Sequence, residues 1–195
     1  MFFGGMGATD MTLQEEIRAF VPRCEQEEHD QAQMLRFMRD HDDCLSRSNL
    51  VAHVTTSIWT VDQSRTKTLM VYHKIYDSWS WIGGHADGCA DLRTVALREL
   101  REETGVTSGR LASNSILSLE TLTVDGHIKH GSYVPSHLHL NVTFLAEADE
   151  DERLVSNEEE NLGVRWWTFD EALRASSEPW MVDHVYRKLV ERSCG

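Results

Sequence analysis

Hydrophobic positions follow two periods along this chain, and the change from one period to the other separates its predicted elements. Over residues 12–20 and about 25–40, apolar side chains recur among Glu, Gln and Arg at helical spacing. From about residue 51 the chain is rich in β-branched and aromatic side chains, which are typical of strands. The pattern therefore predicts an N-terminal helical extension over residues 1–48, followed by one domain over residues 49–195.

The domain is predicted to place strands before and after one central helix. The segments "VAHVTTSIWTVD" and "TLMVYHKIY" are strand-like and enclose the polar "QSRTK", which indicates a hairpin. Further strands are predicted over residues 115–124, 137–146 and 164–169, and two helices, "DEALRAS" and "WMVDHVYRKLVERS", close the chain. This order favours an α/β architecture of the α+β kind, with a mixed β-sheet between helical layers.

The ends of the central helix are marked by residues that commonly cap helices. A Gly-rich loop precedes the helix, which is predicted over residues 91–104. Asp91 is a candidate N-cap because its side chain can accept hydrogen bonds from the first turn. Gly105 is well placed to end the helix, because glycine tolerates the left-handed backbone found after many helices.

This helix carries three acids on the face that its apolar residues mark as inward. With Glu99 set at zero and about 100° per residue, Glu102 lies near −60° and Glu103 near +40°, whereas Arg98 and Arg101 are predicted to point elsewhere. Leu92 and Val95 lie on the same face. Inward carboxylates cost several kcal/mol each unless cations or donors compensate, and acids at this spacing can share Mg²⁺ or Mn²⁺. The alternative is a solvated face on which Arg and Glu side chains pair.

Charge and cysteine usage narrow the expected partners and compartment. The formal net charge of −13 argues against polymeric nucleic acid as a partner, whereas a small anionic ligand can bind through divalent cations. The four cysteines contain no C-x-x-C pair, so we expect neither a disulfide framework nor a zinc pattern, and a cytoplasmic location. The start lacks the basic segment of a signal peptide, and no apolar run reaches membrane-spanning length, so no membrane partner is expected.

The segment "RELREETGV" at residues 98–106 resembles the second half of the Nudix box. That box is usually written GX5EX7REUXEEXGU, where U is a bulky aliphatic residue. Gly84 stands at the matching distance before the segment, and every fixed position of the second half is filled. The flanking strand order and the late "VRWWTFDEAL" also resemble the family, so the likeness covers roughly residues 50–175.

One position departs from the box. Ala90 stands where the first Glu of the box belongs. In the family this Glu helps to bind metal or to fix the box arginine. Asp87 or Asp91 could take its place after a local shift of the loop.

The resemblance implies a Nudix-like α/β/α sandwich and a hydrolytic activity. The implied substrate is a nucleoside diphosphate linked to another group, or a related pyrophosphate, which metal-activated water attacks at phosphorus. The implied cofactor is Mg²⁺ or Mn²⁺, and its ligands would be the backbone carbonyl of Gly83 and the side chains of Glu99, Glu102 and Glu103. The expected partner is thus a small-molecule diphosphate. A homodimer is a further expectation, because dimers are common among such folds.

The candidate catalytic residues are Arg98, Glu102 and Glu103 of the box and Glu159 of a later loop. Relatives draw their general base either from the box or from an acid on a later loop. Here "SNEEENLG" supplies Glu158, Glu159 and Glu160 immediately before the last strand. The alternative for each of these acids is a solvated acidic turn.

The candidate substrate contacts are His85, His137, His139 and Trp81. The segment "SHLHLNVTF" alternates, so His137 and His139 lie on a polar strand face that could line a cleft. Trp81 leads into the Gly-rich loop, where an aromatic ring could stack on a base, although core packing is the alternative. Trp166 and Trp167 must face opposite ways, and at least one of them is expected in the core.

Two other functions stay open at this point. Isopentenyl diphosphate isomerase places one His in an early strand and another directly after the loop glycine, as His53 and His85 are placed here. Against it, Gly83 stands where that enzyme has its catalytic Cys, and the second half of the box is intact. The other function is a Nudix-like sensor that binds a nucleotide without cleaving it. Ala90 supports the sensor, but three inward acids argue against it.

Overall fold

The computed structural model describes residues 11–129 and 131–194. The expectation about a signal peptide concerns the first ten residues and lies outside the described part. Within that part, the helices are α1 (Leu13–Ala19), α2 (Glu25–Asp40), α3 (Leu92–Thr104), α4 (Phe169–Ala175), α5 (Pro179–Met181) and α6 (Arg187–Ser193), with a π-helical turn over Val182–Tyr186. The strands are β1 (Ala52–Asp62), β2 (Lys67–His73), β3 (Ser78–Ser80), β4 (Ile82–His85), β5 (Arg110–Leu111), β6 (Ser118–Val124), β7 (His127–Lys129), β8 (Ser132–Val134), β9 (His137–Ala148) and β10 (Asn161–Thr168).

The main sheet is mixed, as the sequence predicts. Its strands follow the order β10-β2-β1-β9-β5, with β3 added on β2, β4 on β1 and β6 on β9. The central pair, β1 and β9, is parallel along its whole length, and the other pairs are antiparallel. Every residue of β1 is buried, because this central strand is covered on both faces.

Helices cover both faces of the sheet and enclose two hydrophobic cores. The first core joins α1, α2 and α3 to the sheet and includes Ile17, Met34 and Leu100, and the second packs the C-terminal helices around Trp59 and Tyr186. Trp166 packs against the first core and Trp167 against the second. The prediction that these two neighbouring rings face opposite ways is confirmed.

The predicted ends of the central helix are also confirmed. Asp91 accepts a hydrogen bond from the backbone N–H of Thr94, and Gly105 has a φ of 74°, in the left-handed region. This helix, α3, packs against β4 and β1. It thereby holds its acidic face beside the Gly-rich turn that links β4 to α3.

The C-terminal helix differs from its prediction. The sequence pattern indicates one continuous helix, whereas the structure has α5, the π-helical turn and α6 in succession. Val185 and Tyr186 of the π-helical turn are fully buried, so the extra residue per turn keeps large side chains directed at the second core. No helix among the described residues combines the length and the apolar character that a membrane crossing requires.

Candidate active site

A cleft of about 950 Å³ opens beside the central strand pair. Its walls come from β1, β4, α3 and β9, from the β7–β8 hairpin and from the loop before β10. The cleft joins the box helix to the polar face of β9, which are far apart in the sequence. Every candidate catalytic and substrate-binding residue named from the sequence lines this cleft.

Glu103 is the most deeply buried acid of the box, with 4% of its surface exposed. One carboxylate oxygen accepts the Gly83 N–H at 3.2 Å and the other accepts the Asn161 Nδ2–H at 3.0 Å. Burial nevertheless raises the pKa of Glu103 to about 8. The two hydrogen bonds oppose this rise in pKa, and the nearby Glu99 and Glu160 carboxylates add to it. The donors present thus leave the charged form of this acid under-compensated.

Glu99 lies in the same cleft, one helical turn before Glu103. Burial raises the pKa of Glu99, although Arg98 counteracts this by donating from Nη2 to Oε1 at 2.8 Å. Glu102 is more open, with 57% of its side chain exposed, and lies 3.8 Å from Arg98 Nε. All three carboxylates line the cleft, as their shared helix face predicts, but Glu102 is not turned inward as the apolar stripe indicated, because its long side chain reaches the open part of the cleft. Arg98 was predicted to point away from the acids, and this is wrong, because its long side chain folds back over them.

Gly84, the glycine of the box, leaves the space that the Glu99 carboxylate occupies. A Cβ built on Gly84 would lie 2.4 Å from Cδ of Glu99 and 2.7 and 2.8 Å from its carboxylate oxygens. The Glu99 carboxylate therefore rests directly against the backbone of the Gly-rich turn. This contact is a steric reason for a glycine at this position of the box, since a larger residue would displace the Glu99 carboxylate.

The two substitutes considered for the missing first Glu have different roles. Asp91 is engaged as the α3 N-cap, where it also accepts the Thr94 hydroxyl at 2.6 Å. Asp87 lines the cleft and forms a bidentate ion pair with Arg47, with contacts of 2.7 and 2.5 Å. Of the two acids, Asp87 is thus the one that lines the cleft. Ala90, at the position of the missing Glu, is exposed.

Histidines and an aromatic ring line another part of the cleft, the histidine wall. Burial lowers the pKa of His139 to about 2 and that of His85 to about 3, so both rings are neutral at physiological pH. His137 Nε2 lies 3.1 Å from His139 Nε2. Trp81 packs edge-on against Tyr186, with ring centroids 5.9 Å apart, so part of this ring serves the second core.

The acidic loop before β10 contributes to the cleft rim. Glu159 and Glu160 line the cleft, and Glu160 lies 3.4 Å from Lys129 of the β7–β8 hairpin. Glu158 is exposed and its backbone carbonyl accepts a hydrogen bond from Lys74. The role of Glu159 as a base stays a prediction.

Sequence reasoning missed several cleft residues. Asn161, Arg47 and Lys129 were not singled out, and His53 was considered only for its likeness to the isomerase. Arg47, His53 and Lys129 line the cleft, and Asn161 is hydrogen-bonded to one of the box acids. Segments distant in the sequence meet there, through strand pairing for His53 and Asn161 and through ion pairs with Asp87 and Glu160 for Arg47 and Lys129. A single sequence carries little signal for them, because isolated Asn, Arg and Lys residues are common on any surface.

A family model described as the NUDIX domain matches residues 51–191, which is most of the chain. The chain belongs to the Nudix family. As a Nudix protein it is a hydrolase of phosphoric anhydrides, and the α+β fold named from the sequence is confirmed. Among curated proteins, no sequence matches this one.

Solved structures of Nudix hydrolases share the fold. A hydrolase of the NUDIX family from Clostridium perfringens is 18% identical, with a TM-score of 0.51, over 70% of this chain and 95% of that one. A C. elegans Ap4A hydrolase is 16% identical, with a TM-score of 0.51, over 72% and 96%. The E. coli dihydroneopterin triphosphate pyrophosphohydrolase is 16% identical, with a TM-score of 0.52, over 71% and 94%. At these identities the likeness concerns the fold.

Proposed function

We propose that this Nudix protein is a Mg²⁺- or Mn²⁺-dependent hydrolase of a nucleoside diphosphate linked to another group, or of a related small pyrophosphate. The observation that carries the proposal is the buried Glu103 carboxyl, which two N–H donors leave under-compensated beside Glu99 and Glu102. Such a group of acids is costly unless a cation joins it. Three carboxylates that line one cleft have little use in a site that only packs.

The donor set of this wall fits a hard divalent cation. Carboxylate oxygens are the ligands that Mg²⁺ and Mn²⁺ prefer, and the exposed Glu102 leaves room for water and phosphate oxygens. Glu99, Glu102 and Glu103 would hold the ion, and the Gly83 carbonyl is proposed to join them. When bound, the ion would neutralise the diphosphate and lower the pKa of an attacking water.

The other residues of the cleft have roles that follow from their own chemistry. Arg98 holds Glu99 in place and can offer its remaining N–H groups to a phosphate oxygen. Glu159 lies on the rim, where it can take the proton of the attacking water. The histidine wall with Trp81 is proposed to receive the group linked to the phosphates.

A substrate screen tests the proposal directly. The full-length protein is assayed with Mg²⁺ or Mn²⁺ against nucleotide sugars, dinucleoside polyphosphates, nucleoside triphosphates, NADH and coenzyme A. The screen also includes dihydroneopterin triphosphate and Ap4A, because two of the structural neighbours are named for these compounds. We expect metal-dependent release of a phosphate-containing product from at least one class, detected by chromatography.

Other outcomes of the screen would point to the two alternatives. A nucleotide that binds and is recovered intact, with no turnover of any compound, would indicate a sensor. Interconversion of allylic diphosphate isomers without phosphate release would indicate an isomerase. Either result would contradict hydrolysis.

Gly84→Ala is predicted to lower turnover while leaving the fold intact. The new Cβ would occupy the space of the Glu99 carboxylate, which is the end of a flexible side chain and can move aside. Since small displacements of catalytic groups are costly, we expect turnover to fall at least about 10-fold. The measurement is steady-state kinetics with the substrate from the screen.

In the control Gly163→Ala, the Cβ would meet the Trp79 ring at an ordinary 3.5 Å. Equal turnover in the two variants would argue against a role for Glu99.

A further inference from the structure

Three histidines meet in the cleft. His53 of β1 and His139 of β9 are register partners in the parallel strand pair, and His137 lies two residues earlier on the same face of β9. Each ring offers one nitrogen such that the three nitrogens lie within 4.8 Å of one another. Neighbouring strands thus bring together three imidazoles that one ion could contact at once.

Backbone carbonyls fix the proton on two of the three rings. His53 Nδ1 lies 3.0 Å from the carbonyl oxygen of Asn49, and His137 Nδ1 lies 2.8 Å from that of Pro135. A carbonyl oxygen only accepts, so each Nδ1 carries a proton, and in the neutral imidazole each Nε2 then presents a lone pair. Histidines that bind metals commonly donate their second ring N–H to a backbone carbonyl in this way.

One of these lone pairs lacks a partner. His53 has 4% of its surface exposed, and its Nε2 has no hydrogen-bond partner among residues 11–129 and 131–194. A buried polar atom without a partner is costly, and such atoms are rare in native proteins. His53, which carries this unpaired Nε2, belongs to the group whose ring nitrogens converge with those of His137 and His139.

The third ring completes the arrangement. Nε2 of His137 presents a lone pair, so at 3.1 Å the Nε2 of His139 must donate its proton to it when no ion is bound. For an ion to be bound by all three rings, this proton must move to Nδ1 of His139, so that the neutral ring changes tautomer. All three Nε2 lone pairs are then available to one cation.

We propose that His53, His137 and His139 form a second metal site, which takes a transition-metal ion such as Zn²⁺. Imidazole ligands suit Zn²⁺, Ni²⁺ and Cu²⁺, whereas Mg²⁺ and Mn²⁺ prefer the oxygen ligands found on the box helix. Three histidines with an open fourth position form the ligand set of a catalytic zinc site. The open position faces the cleft, where a water molecule or a phosphate oxygen of the substrate can occupy it.

The site is tested by metal binding alone, so its failure is distinct from a failure of the proposed hydrolysis. Full-length protein without a histidine tag is titrated with Co²⁺, whose visible spectrum reports its ligands, and Zn²⁺ is then added as a competitor. With excess Mg²⁺ present to occupy the box acids, we expect one Co²⁺ per chain with nitrogen and oxygen ligands and no thiolate charge-transfer bands. Zn²⁺ should displace it, and excess Mg²⁺ should not.

Variants assign the ligands. His137→Ala and His139→Ala change half-buried side chains at the cleft wall and should each weaken Co²⁺ binding by more than about 10-fold, since even outer-shell partners contribute that much. His127→Ala, which removes a cleft histidine outside the trio, and Glu103→Gln should both leave the spectrum unchanged. Circular dichroism checks that each variant is folded.

Two results would overturn the proposal. Absence of a Co²⁺ spectrum in the wild type would show that the three rings form only a hydrogen-bonded packing cluster. A spectrum and affinity that persist in both His137→Ala and His139→Ala would place the ion elsewhere. If His139→Ala does not fold, the His137→Ala result decides, because His137 is held at the strand end.

Discussion

Replacing Glu103 by Gln is expected to reduce turnover by about 100-fold or more. Glu103 is proposed as a direct metal ligand, and loss of an outer-shell partner of such a ligand already costs about 10- to 100-fold. Gln keeps the shape of Glu and can still accept the Gly83 N–H, so the loss reports the missing charge. Since burial raises the pKa of Glu103 to about 8, removing the charge should not destabilise the fold. Steady-state kinetics and thermal unfolding together measure the two effects.

The matched control is Glu158→Gln, which neutralises an exposed acid of the loop before β10. We expect wild-type turnover in this variant, so a general effect of net charge would be visible as a loss in both. Wild-type turnover in Glu103→Gln would remove the box acids from the mechanism. A large fall in its melting temperature would instead assign Glu103 a structural role.

The acid wall could be predicted because it depends on local geometry alone. A helix fixes the angles between Glu99, Glu102 and Glu103, and the capping residues at both ends fix where the helix begins and ends. The alternation along β9 likewise places His137 and His139 on one face without reference to any other strand. The Nudix box adds the chemistry to this frame.

The orientation of Arg98 could not be read from the same angles. Helical angles describe where Cβ points, whereas a guanidinium on a long flexible stem can reach back over a neighbouring face. The structure shows it at 2.8 Å from Glu99. For short side chains the angle is a sufficient guide, and for Arg and Lys it is not.

The histidine wall required information that a sequence does not contain. His53 and His139 are separated by more than eighty residues, and they meet because β1 and β9 pair in parallel in one particular register. A shift of one residue would turn one of these rings to the other side of the sheet. The π-helical turn was missed for a related reason, since packing against distant elements decides it. The β7–β8 hairpin was also missed, although its two strands are neighbours in the sequence.

The N-terminal extension is joined to the domain by a buried ion network centred on Glu27. Glu27 of α2 is fully buried, and its carboxylate accepts hydrogen bonds from Arg192 Nη1 at 2.5 Å and Nη2 at 2.9 Å. Lys188 lies 3.4 Å from it, and Ser118 of β6 donates to it at 2.8 Å. One side chain of the extension thus connects the last helix to the sheet. The assignment of residues 1–48 as a separate unit stays a prediction.

Glu27→Gln is expected to lower the free energy of unfolding by about 3–5 kcal/mol, because it leaves the buried Arg192 without its counter-charge. Urea unfolding near neutral pH measures the change. The matched control is Glu28→Gln, which removes an exposed acid from the adjacent position of α2 and should change stability by about 0.5 kcal/mol or less. Equal stability of the two variants would show that the network does not hold the extension in place.

The pH dependence of unfolding gives an independent check on the same ion pair. Burial alone raises the pKa of Glu27, but hydrogen bonds from Arg192 and from the Arg23 backbone, with the charge of Lys188, lower it from 4.5 to about 2. A depressed folded-state pKa means that the stabilisation is present above about pH 4.5 and is lost as the pH falls towards about 2. The stability difference between the wild type and Glu27→Gln should therefore narrow over this window. A difference that stays constant from neutral pH down to the acid end would assign the effect to packing and not to the charge on Glu27.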